Sequence, residues 1–81
     1  MTNGVPAYAV DLAIATEHIA LAAANVGLGT CWIGAYDELE VKEFLNLPKK
    51  NKVVALLPLG YPKEEPEPTW RKPLDEIVEF R

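Results

Sequence analysis

The stretch that decides the fold covers residues 7–34 and reads AYAVDLAIATEHIALAAANVGLGTCWIG. Its first part is rich in alanine, with Pro6 just before it and Gly27 near its end. Proline suits the first turn of a helix, and glycine is common just past a helix C-terminus. The pattern therefore predicts a helix over residues 7–26, followed by a strand or extended segment over residues 30–36.

The predicted helix is apolar on almost every side. Three of its few polar residues, Asp11, His18 and Asn25, recur at every seventh position and so share one narrow stripe. A helix that is apolar nearly all round is a buried helix. A membrane span is the competing interpretation because the run is long enough, but Asp11, Glu17 and His18 within it argue against a span.

The chain is too short to cover this helix by itself. At 81 residues it is at most one small domain, and small domains bury a smaller fraction of their surface. A helix of about 20 residues is about 30 Å long. We therefore predict that a second copy of the chain, or a partner segment, covers the helix.

Composition excludes several classes of protein. The net charge is −4 and no lysine or arginine patch stands out, so nucleic acid and anionic membrane are poor partners. The single cysteine, Cys31, excludes an internal disulfide, and its neighbours offer no metal-binding spacing. No basic region precedes an apolar core at the N-terminus, so we expect no signal peptide and a cytoplasmic protein.

Two further elements follow the central stretch. Asp37 can cap a short helix while Glu40, three residues on, reaches back to it in a capping box. Residues 53–59 are a continuous apolar run of strand length that predicts a buried strand. Pro58 lies within this run, which places that end at a sheet edge or a bulge.

The last part of the chain is expected to leave the body. Residues 63–68, Lys-Glu-Glu-Pro-Glu-Pro, form an acidic, extended and polyproline-like arm. An apolar tail follows, which we expect to dock on a neighbouring subunit; its members are Leu74, Ile77, Val78 and Phe80. We therefore treat residues 1–81 as one domain, with a body over residues 5–62 and an arm and tail over residues 63–81.

Few side chains are candidates for catalysis or metal binding. The only histidine, His18, lies on the stripe of the central helix and is expected to be buried and hydrogen-bonded, since the chain has no serine to pair with it. Cys31 has no basic neighbour to lower its pKa, so we expect an inert, half-buried thiol. The carboxylates show no acid–base pair. We predict no catalytic residue and no metal ligand.

What remains is the glycine-bounded string Ile33-Gly34 and the basic pair Arg71-Lys72 near the end of the chain. Gly34, next to Ile33, allows backbone N–H groups to approach a ligand closely, and the arginine of the pair Arg71-Lys72 can bind phosphate with two hydrogen bonds. Trp32 and Trp70 are of a type that more often packs than stacks, but either can lie against a planar ligand. Each signal alone is weak, because a turn glycine and a surface arginine are common.

The order of the segments resembles that of the C-terminal half of the nitroreductase family, the FMN-dependent NAD(P)H oxidoreductases. The resemblance covers residues 7–78. The blocks that carry it are DLAIA at 11–15, LAA at 21–23, GLGTCWIG at 27–34, LNLP at 45–48, LPLGYP at 57–62 and RKPL at 71–74. The glycine-rich block and the LGYP block, at this separation, are the most specific of these.

The resemblance implies a fold and an assembly. The family has an α+β fold, with a mainly antiparallel sheet flanked by helices, built as an intertwined homodimer with long helices at the interface and a tail on the partner. This chain would be half of such a fold, with a long buried central helix and a short antiparallel sheet. Family members are about twice as long, and their N-terminal half supplies an arginine- and serine-rich stretch that holds phosphate.

The resemblance also implies a cofactor site. The backbone N–H groups of Ile33 and Gly34 would face N5 and O4 of the flavin of FMN, and Arg71 would bind its phosphate. A second basic residue often stands two positions before that arginine, where this chain has Thr69. Trp32 and Lys72 complete the predicted cofactor-binding residues. The cofactor carries the chemistry, taking hydride from NAD(P)H and passing it to a nitroaromatic, quinone or similar acceptor.

Two hypotheses follow for the function. The first is an oxidoreductase fragment or subunit whose FMN site is completed by a second copy, most simply in a homodimer, or by a separate N-terminal-half chain. The alternative is a non-catalytic, self-associating remnant of the fold that binds no flavin. Gly34 and Arg71 favour the first hypothesis, and the missing half favours the second.

Overall fold

A computed structural model describes all 81 residues, which form three helices and one small antiparallel sheet. The element order is helix, strand, helix, strand, helix, which confirms the predicted α+β class. The elements are α1 (Ala7–Asn25), β1 (Gly29–Thr30), α2 (Glu38–Leu45), β2 (Leu59–Gly60) and α3 (Leu74–Ile77).

The central helix α1 ends where the sequence predicts. Gly27 has φ +83°, a left-handed conformation that glycine adopts without strain. The N–H of Leu28 donates to the Ala23 carbonyl at 2.9 Å, and that of Gly27 to the Ala24 carbonyl at 3.2 Å. These are the two bonds of a Schellman motif, so this glycine is the conformational stop of α1.

The short helix α2 is capped at both ends by side chains that suit those positions. The Asp37 carboxylate accepts a hydrogen bond from the Glu40 N–H at 3.2 Å, which confirms the predicted N-cap. At the other end Asn46 has φ 56°, in the left-handed region. The Leu47 N–H then donates to the Lys42 carbonyl at 2.8 Å, so α2 ends at Leu45.

The two strands belong to a longer antiparallel pairing that Pro58 interrupts. Gly29 pairs with Gly60, Thr30 with Leu59, and Ile33 with Leu56, all in one register. The Cys31 N–H donates to the Pro58 carbonyl at 3.3 Å, but proline has no N–H to return the bond.

The predicted strand over residues 53–59 is therefore wrong in length. Residues 30–36 were predicted as a strand or an extended segment, and only Thr30 of these lies in a regular strand. Regular strand is confined to β1 and β2, with one further bridge between Ile33 and Leu56. The apolar residues 53–57 are half-buried.

The chain does not bury its own apolar residues. Only Ala23 and Lys42 are buried, at 6% and 8% exposure. The radius of gyration is 16.3 Å, whereas a compact domain of this length has about 12 Å. The predicted burial of α1 is thus not achieved within the chain, and its burial by a partner stays a prediction.

One face of α1 rests on the chain, and the rest is open. The residues of the covered face are Ala9, Val10, Ala13, Thr16, Ala20 and Ala23. His18 is exposed, so the expectation of a buried histidine is wrong for this chain. By length and composition α1 is able to cross a membrane, a test that core helices of soluble proteins also pass.

The arm and tail are exposed throughout. Every residue of 63–81 is exposed, and α3 has only four residues. The docking of the apolar tail on a neighbouring subunit stays a prediction, as does the division at residue 62.

Candidate functional site

The predicted site begins at the last pair of the antiparallel ladder. The Ile33 N–H donates to the Leu56 carbonyl at 2.9 Å, and the Leu56 N–H donates back at 3.0 Å. The Ile33 amide is therefore engaged in the sheet and is not free for a ligand. The predicted contact of this N–H with a flavin stays a prediction, and it requires that the hydrogen bond to Leu56 be shared or exchanged.

The next two amides are free. The N–H groups of Gly34 and Ala35 make no hydrogen bond within the chain, because the ladder ends at Ile33. A Cβ at Gly34 would meet no atom within 4 Å, so the backbone there is open to a flat ligand. The sequence analysis missed Ala35, although the residue after a ligand-facing glycine is a natural second donor.

Trp32 and Ile33 connect this segment to two different helices. Adjacent side chains of an extended segment point to opposite faces. The Trp32 side chain is 45% exposed, and its Nε1 donates to the Glu17 carboxylate on α1 at 3.2 Å. Ile33 instead lines a groove beside α2. The segment before Gly34 thus contacts α1 through Trp32, lines the groove beside α2 through Ile33, and pairs with Leu56 in the sheet.

The groove beside α2 is the largest concave surface of the chain. Its volume is about 760 Å³, and it is open and mainly apolar. It is lined by Ile33, Tyr36, Asp37, Glu40, Val41, Phe44, Leu45, Leu56, Leu57 and Pro58. Apolar grooves with a few polar groups at the rim are typical ligand sites, and this one begins directly beside Gly34.

A polar network fixes α2 against residues 49–53. The buried Lys42 ammonium contacts the Glu38 carboxylate at 3.0 Å and donates to the Lys49 carbonyl at 3.0 Å. Glu38 also accepts from the Val53 N–H at 3.3 Å, and the Tyr36 hydroxyl donates to the Val53 carbonyl at 2.7 Å. The Lys42 hydrogen bond, aided by the Val53 N–H, holds the pKa of Glu38 below its usual range.

The basic pair Arg71-Lys72 lies in the exposed arm. The Arg71 guanidinium donates to the Thr69 hydroxyl and, at 3.2 Å, to the Trp70 carbonyl. No hydrogen bond, ion pair or cavity joins the pair to residues 32–35. The single chain thus does not bring its predicted phosphate-binding residues and its free amides into one site.

The remaining reactive side chain is Cys31. Its thiol is exposed, which differs from the half-buried thiol expected from the sequence. It borders a second, shallow concavity formed by β1, β2 and the start of the arm. No acid, base or histidine lies against it in the hydrogen-bond pattern, where its only partner is the Trp32 carbonyl at 3.8 Å.

Comparison with known proteins identifies the family. The model of the nitroreductase family matches residues 4–61. A protein of Archaeoglobus fulgidus, provisionally named NADH dehydrogenase/NAD(P)H nitroreductase, is 41% identical over 59 residues, which are 68% of this chain and 34% of that protein. The NADPH-flavin oxidoreductase of Vibrio harveyi is 36% identical over 72 residues, 86% of this chain and 30% of the relative.

A solved structure agrees with this. The nitroreductase family protein of Streptococcus pneumoniae superposes with a TM-score of 0.83 at 32% identity, over 90% of this chain and 36% of that one. The chain spans about a third of the length of the relatives it matches, which is less than the half that the resemblance implies. The match of the family model over residues 4–61 and this superposition show that the chain belongs to the nitroreductase family.

Proposed function

We propose that this chain is part of a flavin-dependent NAD(P)H oxidoreductase that passes hydride through FMN to a nitroaromatic, quinone or similar acceptor. The observation that carries the proposal is the pair of free amides at Gly34 and Ala35, directly after the last hydrogen-bonded pair of the sheet. The name of the Vibrio harveyi relative, NADPH-flavin oxidoreductase, supports flavin and NADPH as the redox partners.

The chain's own contribution is to bind and orient. When bound, FMN supplies the hydride chemistry, so the chain needs no nucleophile. Two backbone N–H groups at the ring edge would donate hydrogen bonds where negative charge develops, which is the geometry of an oxyanion hole. The residues fit this role, because nothing in the chain occupies the space over Gly34 and because the reciprocal Ile33–Leu56 pair anchors the backbone before it.

The other predicted residues would hold the rest of the cofactor. Arg71 and Lys72 would bind the phosphate, and Trp32, half-exposed beside Gly34, would contact the ring system. Because the basic pair and the amides lie apart in the single chain, a further part of the fold must unite them. We propose a homodimer as the assembly, completed by the part of the fold that this chain lacks.

The alternative is a self-associating remnant that binds no flavin. The observation that favours it is the placement of Arg71, whose guanidinium is satisfied within the arm by Thr69 and Trp70. An arginine engaged in this way must exchange those hydrogen bonds for phosphate.

One experiment distinguishes the oxidoreductase from the remnant that binds no flavin. The chain is purified from its own host, passed through gel filtration, and its flavin absorption band is measured before and after anaerobic addition of NADPH or NADH. Co-elution of the band with the protein, followed by bleaching, supports the oxidoreductase. A colourless protein that stays colourless after incubation with FMN supports the remnant and contradicts the proposal.

A further inference from the structure

The antiparallel ladder ends one pair earlier than its register allows. Hydrogen-bonded pairs alternate with non-hydrogen-bonded pairs along antiparallel strands. In the register of the Ile33–Leu56 pair, the next hydrogen-bonded pair is therefore Ala35 with Val54. No backbone hydrogen bond joins these two residues, so the N–H of Ala35 is free at a position where a regular ladder would engage it.

Two side chains instead bridge the segments at the neighbouring residue, Val53. The Tyr36 hydroxyl donates to the Val53 carbonyl at 2.7 Å, and the Glu38 carboxylate accepts from the Val53 N–H at 3.3 Å. We call these two hydrogen bonds the Val53 clamp. All three residues are half-buried, and hydrogen bonds away from bulk water are electrostatically stronger than those at the surface.

The orientation of Glu38 in the clamp is fixed from within the chain. The ammonium of Lys42, which is 8% exposed, contacts the Glu38 carboxylate at 3.0 Å. The same ammonium donates to the Lys49 carbonyl at 3.0 Å. The carboxylate that accepts from Val53 is therefore held by a buried cation that is itself anchored to the backbone.

The clamp attaches the free-amide segment on its C-terminal side. On the N-terminal side the Ile33–Leu56 pair anchors the backbone with two hydrogen bonds. Gly34 and Ala35 thus lie between two attachments to the same short stretch, residues 53–56. A bridge through a side chain does not require the two backbones to approach to the about 4.7–4.9 Å of a ladder. The segment is therefore fixed at both ends while its own N–H groups remain unpaired.

We propose that Tyr36 and Glu38 are positioning residues, which hold Val53 and thereby keep residues 34 and 35 both rigid and unpaired. The use of this rigidity rests on the proposed function, because fixed donors stabilise the charge of a reduced flavin without being reoriented. Neither side chain has to touch the cofactor. If the two hydrogen bonds served only to stabilise α2, their loss would lower the melting temperature and leave the free-amide segment unchanged.

The first test needs no flavin. Tyr36→Phe removes one hydroxyl from the full chain, and NMR relaxation of the backbone amides is measured for the variant and the original. The order parameters of Gly34 and Ala35 should be about 0.85 in the original chain, the value of rigid backbone, and below about 0.6 in the variant. The Ile33 N–H should stay protected from hydrogen exchange in both, which shows that the ladder is intact.

The matched control is Tyr61→Phe. Tyr61 is 89% exposed and takes no part in the clamp, so its variant should leave both order parameters as they are in the original chain. Unchanged order parameters in Tyr36→Phe, or an equal decrease in Tyr61→Phe, would overturn the proposal.

Glu38 is tested by two variants that differ in one capacity. Glu38→Gln keeps a side-chain oxygen that accepts from the Val53 N–H, and it should leave the segment rigid. Glu38→Ala removes the acceptor, and it should loosen the segment as Tyr36→Phe does. A segment that stays rigid in Glu38→Ala would exclude Glu38 from the positioning role.

The second test measures what the rigid segment contributes. The dissociation constants of oxidised FMN and of FMN reduced with dithionite are measured anaerobically for the original chain, Tyr36→Phe and Tyr61→Phe. Tyr36→Phe should raise the constant for reduced FMN about tenfold more than that for oxidised FMN, because the loosened donors face the charge that reduction creates. Tyr61→Phe should change neither constant.

The two tests fail in different ways. An equal change of both constants in Tyr36→Phe would show that the clamp does not position donors for the reduced flavin. A chain that binds neither form of FMN would contradict the proposed function instead, and the order parameters would still decide whether the clamp holds the segment.

Discussion

Ile33 and Leu56 exchange both of their backbone hydrogen bonds, at 2.9 and 3.0 Å, and so form the last pair of the antiparallel ladder. Gly34 is the next residue, and its N–H has no acceptor in the chain. The position of this free amide is thus set by a sheet pair rather than by a loose loop. Preorganised donors of this kind stabilise developing charge without having to be reoriented during the reaction.

Gly34→Val tests this amide. A Cβ at Gly34 has open space on all sides within the chain, so the fold should tolerate valine, whereas a flat ligand lying on the backbone should not. We expect flavin retention through gel filtration to be lost while helix content by circular dichroism is unchanged.

The matched control is Gly60→Val. Gly60 lies in β2, and a Cβ there also meets nothing within 4 Å, so this variant should keep its flavin. Retention by both variants would remove Gly34 from the site, and loss by both would indicate a general effect of added bulk on the sheet.

Arg71→Ala tests the phosphate contact. A hydrogen bond to a charged group is worth about 1.5–3 kcal/mol, so the variant should bind FMN about 10- to 150-fold more weakly. Riboflavin, which lacks the phosphate, should be affected little, and isothermal titration with both ligands separates the two cases.

Arg81→Ala is the control, because Arg81 is another exposed arginine and pairs only with Glu79. It should leave both affinities unchanged. An equal loss for FMN and riboflavin in Arg71→Ala would show that Arg71 does not contact the phosphate.

The ends of the helices followed from the sequence because each is decided by a few neighbouring residues. Gly27 ends α1 and Asp37 caps α2 through contacts within about one turn, which a local pattern contains. The strand lengths could not be predicted from the sequence in the same way, because a strand forms only where a second segment is available for backbone hydrogen bonding. The apolar residues 53–57 have the composition of a buried strand, yet the chain offers them only one partner, and Pro58 removes a donor.

Only part of the candidate site could be predicted, because residue types can be read from the sequence whereas contacts between distant segments cannot. Gly34 could be selected because glycine alone allows close approach, and Arg71 because of its charge. The hydrogen bond from the Ile33 N–H to the Leu56 carbonyl could not be predicted, since it depends on the register between two segments that are far apart in the sequence. His18 was expected to be buried because the helix around it is mostly apolar, but the chain covers only one face of α1 and His18 lies outside that face.

Glu38→Gln should change the stability of the chain in a pH-dependent way. The pKa of Glu38 is lowered in the folded chain by the Lys42 hydrogen bond and the Val53 N–H. The unfolded state therefore binds more protons, and the stabilisation is complete above the ordinary glutamate pKa of about 4.3 and lost as pH falls through the lowered value. The variant should melt below the original at pH 7, and the two melting temperatures should converge towards pH 3.

Glu43→Gln is the control for that series, because Glu43 lies on the same helix and forms no ion pair. Its melting temperature should follow that of the original chain at every pH. A constant gap between Glu38→Gln and the original from pH 7 to pH 3 would show that the effect is not electrostatic.

Ala22 and Ala23 are adjacent on α1, yet the structure gives them different roles. Ala23 is 6% exposed and packs against the chain itself, whereas Ala22 is exposed and lies on the uncovered side of α1. Arginine at position 23 must enter a packed contact, where excess volume alone costs about 1–3 kcal/mol. We expect Ala23→Arg to lower helix content and the melting temperature. Ala22→Arg should keep the helix but sediment as a monomer, because the charge then lies in the interface between copies. Loss of helix in Ala22→Arg equal to that in Ala23→Arg, or a dimer that survives Ala22→Arg, would contradict the assignment of the two faces.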